Sequence, residues 1–228
     1  MVLAALFRLE VIVDGRALRE YPYAGEQFVE GSRGSEFTLR VTNTGSRRAL
    51  AVVSVDGLSV MDGKRASRVS NGYIVNARGS LEIPGWRLTN NDVAHFAFAT
   101  RPEAYATQMD QPENVGVIGV AFVLEWVPVA LAAYEDLEPM RGSNTFGTKS
   151  ATRDGGLGTG YGRRTEHRVT SVDFDRDPST MEELRLRYDD RDGLMARGIF
   201  VDDPVLKANP FPADSTPRYT TPPPGWQG

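Results

Sequence analysis

The 228-residue chain contains no cysteine, which excludes a disulfide framework and a thiolate metal site. Its only histidines are His95 and His167, and no nucleophile-elbow sequence accompanies them, so no hydrolase triad can be recognised. Long apolar runs are also missing, because Glu125 and Pro128 interrupt the longest one, residues 115–134. A membrane-spanning helix needs about 20 uninterrupted apolar residues, so we expect none. The short apolar opening lacks a basic region and a cleavage site, which does not favour a signal peptide.

The composition is that of an ordinary globular protein, with 40% apolar and 25% charged residues. The net charge of -4 does not favour nucleic acid or an anionic membrane as a partner. The length suits one domain or a domain with appendages. The absence of cysteine is compatible with a cytosolic protein or with a particle assembled in the cytosol, and it leaves secretion open.

The first half of the chain alternates apolar and polar residues with the period of a strand that buries one face. Phe37, Leu39 and Val41 form one such run. Residues 115–123 are apolar on both faces, which is typical of a central strand. Turn signals separate the runs at Asp14-Gly15, Asp56-Gly57, Asp62-Gly63, Asn71-Gly72 and Pro84-Gly85. These patterns predict a mainly β protein with an antiparallel, jelly-roll-like β-sandwich.

Composition shifts divide the chain into four predicted parts. A β-sandwich body spans residues 1–138, and a glycine-rich basic loop or linker spans residues 139–165, because seven of the 22 residues at 141–162 are glycine. Residues 166–208 are predicted to add a small β-hairpin and helix, in which residues 168–176 pair with residues 184–188. Residues 209–228 form an extended arm, since six of its twenty residues are proline.

Two glycine-rich stretches resemble nucleotide-binding loops without meeting their requirements. Residues 142–150 carry one residue too many before Lys149 for a P-loop, and neither a strand nor a helix flanks them. Residues 156–162 precede a strand pattern, so no helix dipole can reach a pyrophosphate. We therefore expect no cofactor. The basic residues of this region leave contact with nucleic acid or an acidic protein face open, although a solvated loop is the default.

Two acidic clusters raise the question of calcium. Asp173, Asp175 and Asp177 have the first three ligand spacings of a calcium loop, but Pro178 occupies its glycine position and Leu184 its glutamate position. Residues 189–192 form the second cluster. Solvated carboxylates are the simpler interpretation, and we assign no metal ligand and no catalytic residue. Trp86 fits a core residue or a binding aromatic equally well, and His95 is predicted to lie at the surface.

A family resemblance covers roughly residues 20–125. The signature is the stretch VVSVDGLSVMDGK at residues 52–64, followed by residues 72–75 and 83–87, with further pieces at residues 28–31 and 114–119. This pattern resembles a family of uncharacterised bacterial and tailed-phage proteins. The resemblance implies a bacterial or phage origin and carries over no functional residue.

These observations favour a non-enzymatic structural protein of a virus particle, a tailed-phage head or tail component assembled in the host cytoplasm. Its expected partners are other virion subunits, as a homo-oligomer or a capsid or tail protein. We expect no membrane partner, and nucleic acid is not favoured. One alternative is a β-sandwich module that binds carbohydrate or protein on a bacterial surface. A second alternative is an unrecognised hydrolase.

The proline-rich arm supplies the candidate partner-binding residues. Proline restricts the free chain beforehand, and extended segments dock through aromatic anchors. We expect the arm to lie across a neighbouring subunit, with Trp226 in a pocket and Arg218 near an acidic partner. The candidate residues are Phe211, Arg218, Tyr219 and Trp226.

Overall fold

The computed structural model describes residues 5–127 and 156–201, which form a mainly β protein, as the sequence predicts. Its helices are α1 (Tyr105–Gln108) and α2 (Arg191–Ala196), with 3-10 turns at Arg101–Glu103, Pro112–Asn114 and Pro178–Thr180. The strands are β1 (Phe7–Val13), β2 (Arg16–Ala17), β3 (Glu20–Tyr23), β4 (Glu26–Glu30), β5 (Glu36–Asn43), β6 (Ala49–Val55), β7 (Leu58–Ser59), β8 (Tyr73–Val75), β9 (Gly79–Ile83), β10 (Gly85–Arg87), β11 (Asp92–Thr100), β12 (Val117–Leu124), β13 (Leu157–Glu166) and β14 (Glu182–Asp189).

The described strands form two sheets that face each other as a β-sandwich, which confirms the predicted fold class. The first sheet has the order β10-β11-β5-β1-β2, with β13 beside β11 and β9 beside β5. The second sheet has the order β3-β4-β14-β12-β6-β7, with β8 beside β6. None of the helices in the described ranges combines the length and apolar character that a membrane crossing requires.

The predicted alternation places one face of each long strand in the core. Every second residue of β5 is buried, and Leu39 and Val41 have no exposed surface. Aromatic rings join the two sheets, because Phe7 of β1 stacks on Phe122 of β12 at 4.2 Å between ring centroids. Burying one such large apolar side chain contributes roughly 1.5–3 kcal/mol. The hydrophobic pattern is therefore the main source of the sandwich.

β12 lies in the middle of the second sheet, between β14 and β6. Its inward residues, Ile118 and Phe122, belong to the main core, while Ala121 on the other face packs with Leu50 and Val52. Phe174 covers this outer cluster. The prediction of a central strand covered on both faces is confirmed.

β13 replaces part of the predicted glycine-rich linker. Residues 157–165 pair with β11 along its length and carry buried residues such as Thr159. The glycines serve close packing here, since a Cβ on Gly158 would lie 2.4 Å from the Cβ of Ala104. The prediction of a loop or linker over residues 157–165 is therefore wrong, and residues 139–155 lie outside the described residues.

β14 is also part of the sandwich body. It pairs antiparallel with β12 on one edge and parallel with β4 on the other, so the second sheet contains a parallel pair. Because both edges of β14 are occupied, residues 168–176 cannot form the predicted hairpin with it. Those residues have no regular strand and are mostly exposed. The predicted hairpin is therefore wrong, and the helix within residues 166–208 is α2.

Candidate functional site

A cleft of about 610 Å³ opens on the side of the sandwich where the first sheet ends at β1. Ala5 and residues 7–10 line one wall, and residues 184–186 of β14 line the other. Ala17, Leu18, Glu20 and Gln27 complete the lining. Ligand sites in proteins commonly have volumes of roughly 300–1,000 Å³, so the cleft is large enough for a ligand or a short peptide segment.

One edge of β1 faces this cleft. β5 pairs with β1 along Phe7–Ile12, but β2 pairs on the opposite edge only at Ile12 and Val13. Leu18 N donates to Val11 O at 2.8 Å, and Thr44 N donates to Leu6 O at 3.0 Å. Since the direction of these bonds alternates along a strand, the backbone groups of Phe7 and Leu9 point into the cleft. In the described ranges, no strand pairs with this edge at residues 7–10.

The second sheet extends past the first on this side. Glu20 is paired with Val29 across β3 and β4, and Val29 lies in the main core, so Glu20 points to the inner face. Gln27 lies two residues before Val29 and shares that face. The inner face of β3 and β4 therefore faces the position next to β1 in the first sheet, and no described strand occupies that position. Within the described part of the chain, the first sheet is one strand short at this side.

The cleft has apolar walls and a charged rim. Phe7, Leu9 and Leu186 are buried, and Arg8 pairs with Glu10 at 3.0 Å between Nη2 and Oε1. Burial raises the pKa of Glu20, Arg8 opposes this shift, and Glu10 adds to it. A cation that approached Glu20 would stabilise its charged form. The arrangement suits an extended peptide whose backbone pairs with β1.

A buried polar network surrounds Asp56, which follows β6. Its Oδ1 accepts from Gly116 N at 2.9 Å and from the hydroxyl of Tyr188 at 2.6 Å, and its Oδ2 accepts from Thr159 N at 2.8 Å. The hydroxyls of Thr159 and Tyr188 are 2.6 Å apart. The carboxylate therefore joins the turn after β6 to β13, β14 and the residue before β12.

This network is structural. Asp56 is 1% exposed, and burial raises its pKa to about 6, although the three donors and Arg101 oppose the shift. A carboxylate that accepts bonds from three separate segments and is almost completely buried holds those segments together. The sequence identified Asp56-Gly57 only as a turn, because nothing in a period-two pattern shows that a turn residue is buried.

The acidic cluster at residues 189–192 holds local structure. Asp189 Oδ1 accepts from Leu157 N and Asp190 N, both at 3.0 Å, and its Oδ2 pairs with Arg197 at 3.0 Å. Asp190 caps α2 by accepting from Gly193 N at 2.7 Å. These contacts leave the carboxylates engaged with the protein itself.

The carboxylates of the cluster at residues 173–177 either contact other protein groups or face solvent. Asp173 and Asp175 are exposed, and Asp177 accepts from the backbone and hydroxyl of Ser179 and pairs with Arg47. The Ser179 hydroxyl and Arg47 lower the pKa of Asp177 despite some opposing desolvation. In residues 5–127 and 156–201, no three acidic or histidine side chains are grouped so that they could hold a metal ion.

The two histidines lie apart from the cleft lining. His95 was predicted to be a surface residue, but its side chain is only 12% exposed, and its Nδ1 lies 3.5 Å from Glu36 Oε2. The prediction is wrong because β13 packs beside β11 and Arg163 shares the same carboxylate. His167 Nδ1 lies 2.6 Å from Arg87 Nη2, and burial together with Arg87 lowers its pKa.

The other predicted candidates divide between the core and the undescribed ranges. Trp86 is a core residue, since it is 1% exposed and its Nε1 donates to Gly160 O at 3.2 Å. The P-loop-like residues 142–150 lie outside the described residues. The same holds for the arm candidates Phe211, Arg218, Tyr219 and Trp226.

Comparison with known proteins finds no matching family model, no similar curated protein and no similar solved structure. The resemblance to bacterial and tailed-phage proteins therefore stays a prediction. The structure does explain its signature locally. The aspartate of its VDG segment is Asp56, and the following residues form β7 and the turn to Lys64.

Proposed function

We propose that this chain is a non-enzymatic structural protein of a virus particle, a head or tail component of a tailed phage that contacts neighbouring subunits. The observation that carries the proposal is the β1 edge with its cleft. An open strand edge between apolar walls is suited to main-chain pairing with another polypeptide. The family resemblance supplies the phage context, and the partners are other virion subunits, including copies of this chain.

The engagement of the buried polar groups supports a role without catalysis. Asp56 and Asp189 are both held by backbone donors from other segments, as a rigid scaffold requires. A general base or nucleophile needs an accessible atom near a substrate. The hydrolase alternative receives less support, because His95 and His167 contact Glu36 and Arg87 and neither lines the cleft.

A binding module for carbohydrate or protein is the second candidate, and the volume of the cleft favours it. Sugar rings usually stack on exposed aromatic faces, but among the described residues that line the cleft Phe7 is the only aromatic one, and it is 2% exposed. The cleft therefore suits a peptide better than a sugar. A peptide ligand is also what an assembly role requires.

The virion role is tested by purifying particles from the host that carries the gene. We expect mass spectrometry to detect the chain in particles purified by density gradient, together with the main head and tail proteins. A tagged chain that lacks residues 209–228 should fold but be depleted from particles. Glu82→Gln, an exposed change on β9, is the matched control and should be incorporated normally. Absence of the intact chain from particles that contain all other components would refute the proposal.

A further inference from the structure

We propose that the cleft beside β1 receives the C-terminal arm (residues 209–228) of a second copy of this chain, whose residues 218–221 pair with β1 as an added strand. This inference rests on the proposed function and names the surface through which the subunits would join. The added strand would fill the place where the first sheet is one strand short. Its backbone would pair with Phe7 and Leu9, and its inward side chains would meet the apolar walls.

The choice of residues 218–221 follows from backbone chemistry. Proline has no N–H group and interrupts a hydrogen-bonded ladder, so a pairing segment needs consecutive residues without proline. The arm contains two such segments of four residues before its final prolines, 213–216 and 218–221. Tyr219, Thr220 and Thr221 have high β-propensity, whereas Ala213, Asp214 and Ser215 do not. The second segment is therefore the better strand.

Charge complementarity supports the same segment. Arg218 precedes Tyr219, and the cleft lining contains Glu10 and Glu20 together with Arg8 and Arg185. Arg8 pairs with Glu10, so the charge argument rests on Glu20. Glu20 is exposed at the mouth of the cleft, and partial desolvation together with the nearby Glu10 disfavours its charged form. An arginine beside Glu20 would relieve that unfavourable field, while Asp214 in the competing segment would increase it.

The place where the described chain ends favours a second copy over the same chain. Val201 packs with Phe28 and Ile199 in a cluster separate from the main core. Phe28 and Val29 point to opposite faces of β4, and Val29 lies in the main core, so Val201 lies on the outer face of the second sheet. The cleft opens on the inner face. The described chain therefore ends, at Val201, on the side away from its own cleft, and the 16 residues between Val201 and Arg218 can span up to roughly 55 Å to a neighbour.

Cross-linking tests this arrangement, because the chain has no cysteine of its own. One purified full-length variant carries Ala17→Cys at the exposed mouth of the cleft, and a second carries Thr220→Cys in the arm. The two are mixed and treated with a short bismaleimide. We expect a covalent heterodimer that contains one copy of each variant. Asn90→Cys is the matched control, since Asn90 is exposed in the turn between β10 and β11, two strands away from β1, and should give several times less product.

The possible outcomes separate the alternatives. Equal yields with Ala17→Cys and Asn90→Cys would overturn the proposed site. A double variant, Ala17→Cys with Thr220→Cys, that cross-links only within monomers would show that the arm occupies its own cleft, which would overturn exchange between copies. Both measurements use purified protein, so their outcome is independent of the particle experiment. The cross-links can be absent while the chain is found in virions, and they can form while the chain is absent from virions.

Charge reversal gives an independent measurement. Glu20→Lys in the copy that supplies the cleft should weaken its binding of the partner's arm by about 2- to 5-fold, which is the effect of one partly exposed ion pair. Arg218→Glu in the copy that supplies the arm should restore this binding. Glu82→Lys, an exposed glutamate outside the cleft lining, should leave the binding unchanged. Equal effects of the two lysine variants would contradict a role for Glu20.

Discussion

Asp56→Asn would show how the buried carboxylate makes stability depend on pH. The ordinary pKa of 3.8 rises to about 6 in the folded protein, mainly because burial disfavours the charged form. The difference of about 2 pKa units corresponds to about 3 kcal/mol at about 1.4 kcal/mol per unit. Because the folded pKa is raised, this stability is fully present below about pH 4 and is lost as the pH rises through about 6.

The asparagine variant removes this titration and one acceptor. Its amide oxygen can still accept a hydrogen bond, but its NH₂ group would face one of the buried donors, Gly116 N, Thr159 N or the Tyr188 hydroxyl. An unsatisfied buried donor costs about 1–3 kcal/mol, so we expect the variant to be less stable than the native protein near pH 4. The free energy of unfolding of the native protein minus that of the variant should fall by about 3 kcal/mol between pH 4 and pH 8. At pH 8 the variant should therefore be as stable as the native protein or more stable.

Urea unfolding followed by tryptophan fluorescence measures both proteins across this range, with the buried Trp86 as reporter. Subtracting the variant's free energy of unfolding from that of the native protein cancels the titration of the carboxylates that both proteins contain. Asp177→Asn is the control of opposite sign, because the pKa of Asp177 is lowered and its contribution is lost as the pH falls. A native-minus-variant difference that stays constant from pH 4 to pH 8 would refute a raised pKa at Asp56.

Three further predictions concern the core and the same network. Leu39→Asp should lower the free energy of unfolding by several kcal/mol, because Leu39 is fully buried. If the variant resists urea as well as the native protein does, Leu39 does not point into the core. Gly158→Ala should lower the free energy of unfolding by about 1–3 kcal/mol, because its Cβ would lie 2.4 Å from the Cβ of Ala104. A Cβ at Gly160 would meet nothing closer than 3.3 Å, so Gly160→Ala should have a smaller effect, and equal melting temperatures of the two variants would contradict this packing. Tyr188→Phe removes a donor to Asp56, so the pKa of Asp56 should rise further and the loss of stability should move to higher pH, which the same urea series measures.

The turn signals illustrate how local sequence works and where it fails. Asp14-Gly15 and Asp56-Gly57 have positive φ at both residues, as tight hairpin turns require, so these predictions are confirmed. Gly85 belongs to β10 and has no positive φ, and a Cβ there would lie 1.8 Å from Ala94 O. A close approach between two strands depends on a distant residue, and a local pattern cannot distinguish it from a turn.

The candidate site depended even more on tertiary structure. The alternation of Phe7, Leu9 and Val11 indicated which face of β1 is buried, but not which edge is open. The open edge exists because β2 is only two residues long and because β14 and β4 extend the second sheet beyond the first. Strand order depends on pairings between residues far apart in the sequence, such as Phe28 with Arg187, which are 159 positions apart.

The sequence alone determined the β class, the inward face of the long strands, the central position of β12 and the two tight hairpin turns. Each follows from side-chain period or from backbone preference within a few residues. Only the tertiary structure decided that glycine-rich residues 157–166 form a strand, that β14 lies between β4 and β12, and that Asp56 is buried. The physical reason is that burial and pairing depend on which distant segments a residue meets, and glycine or aspartate has no local preference that reports such contacts.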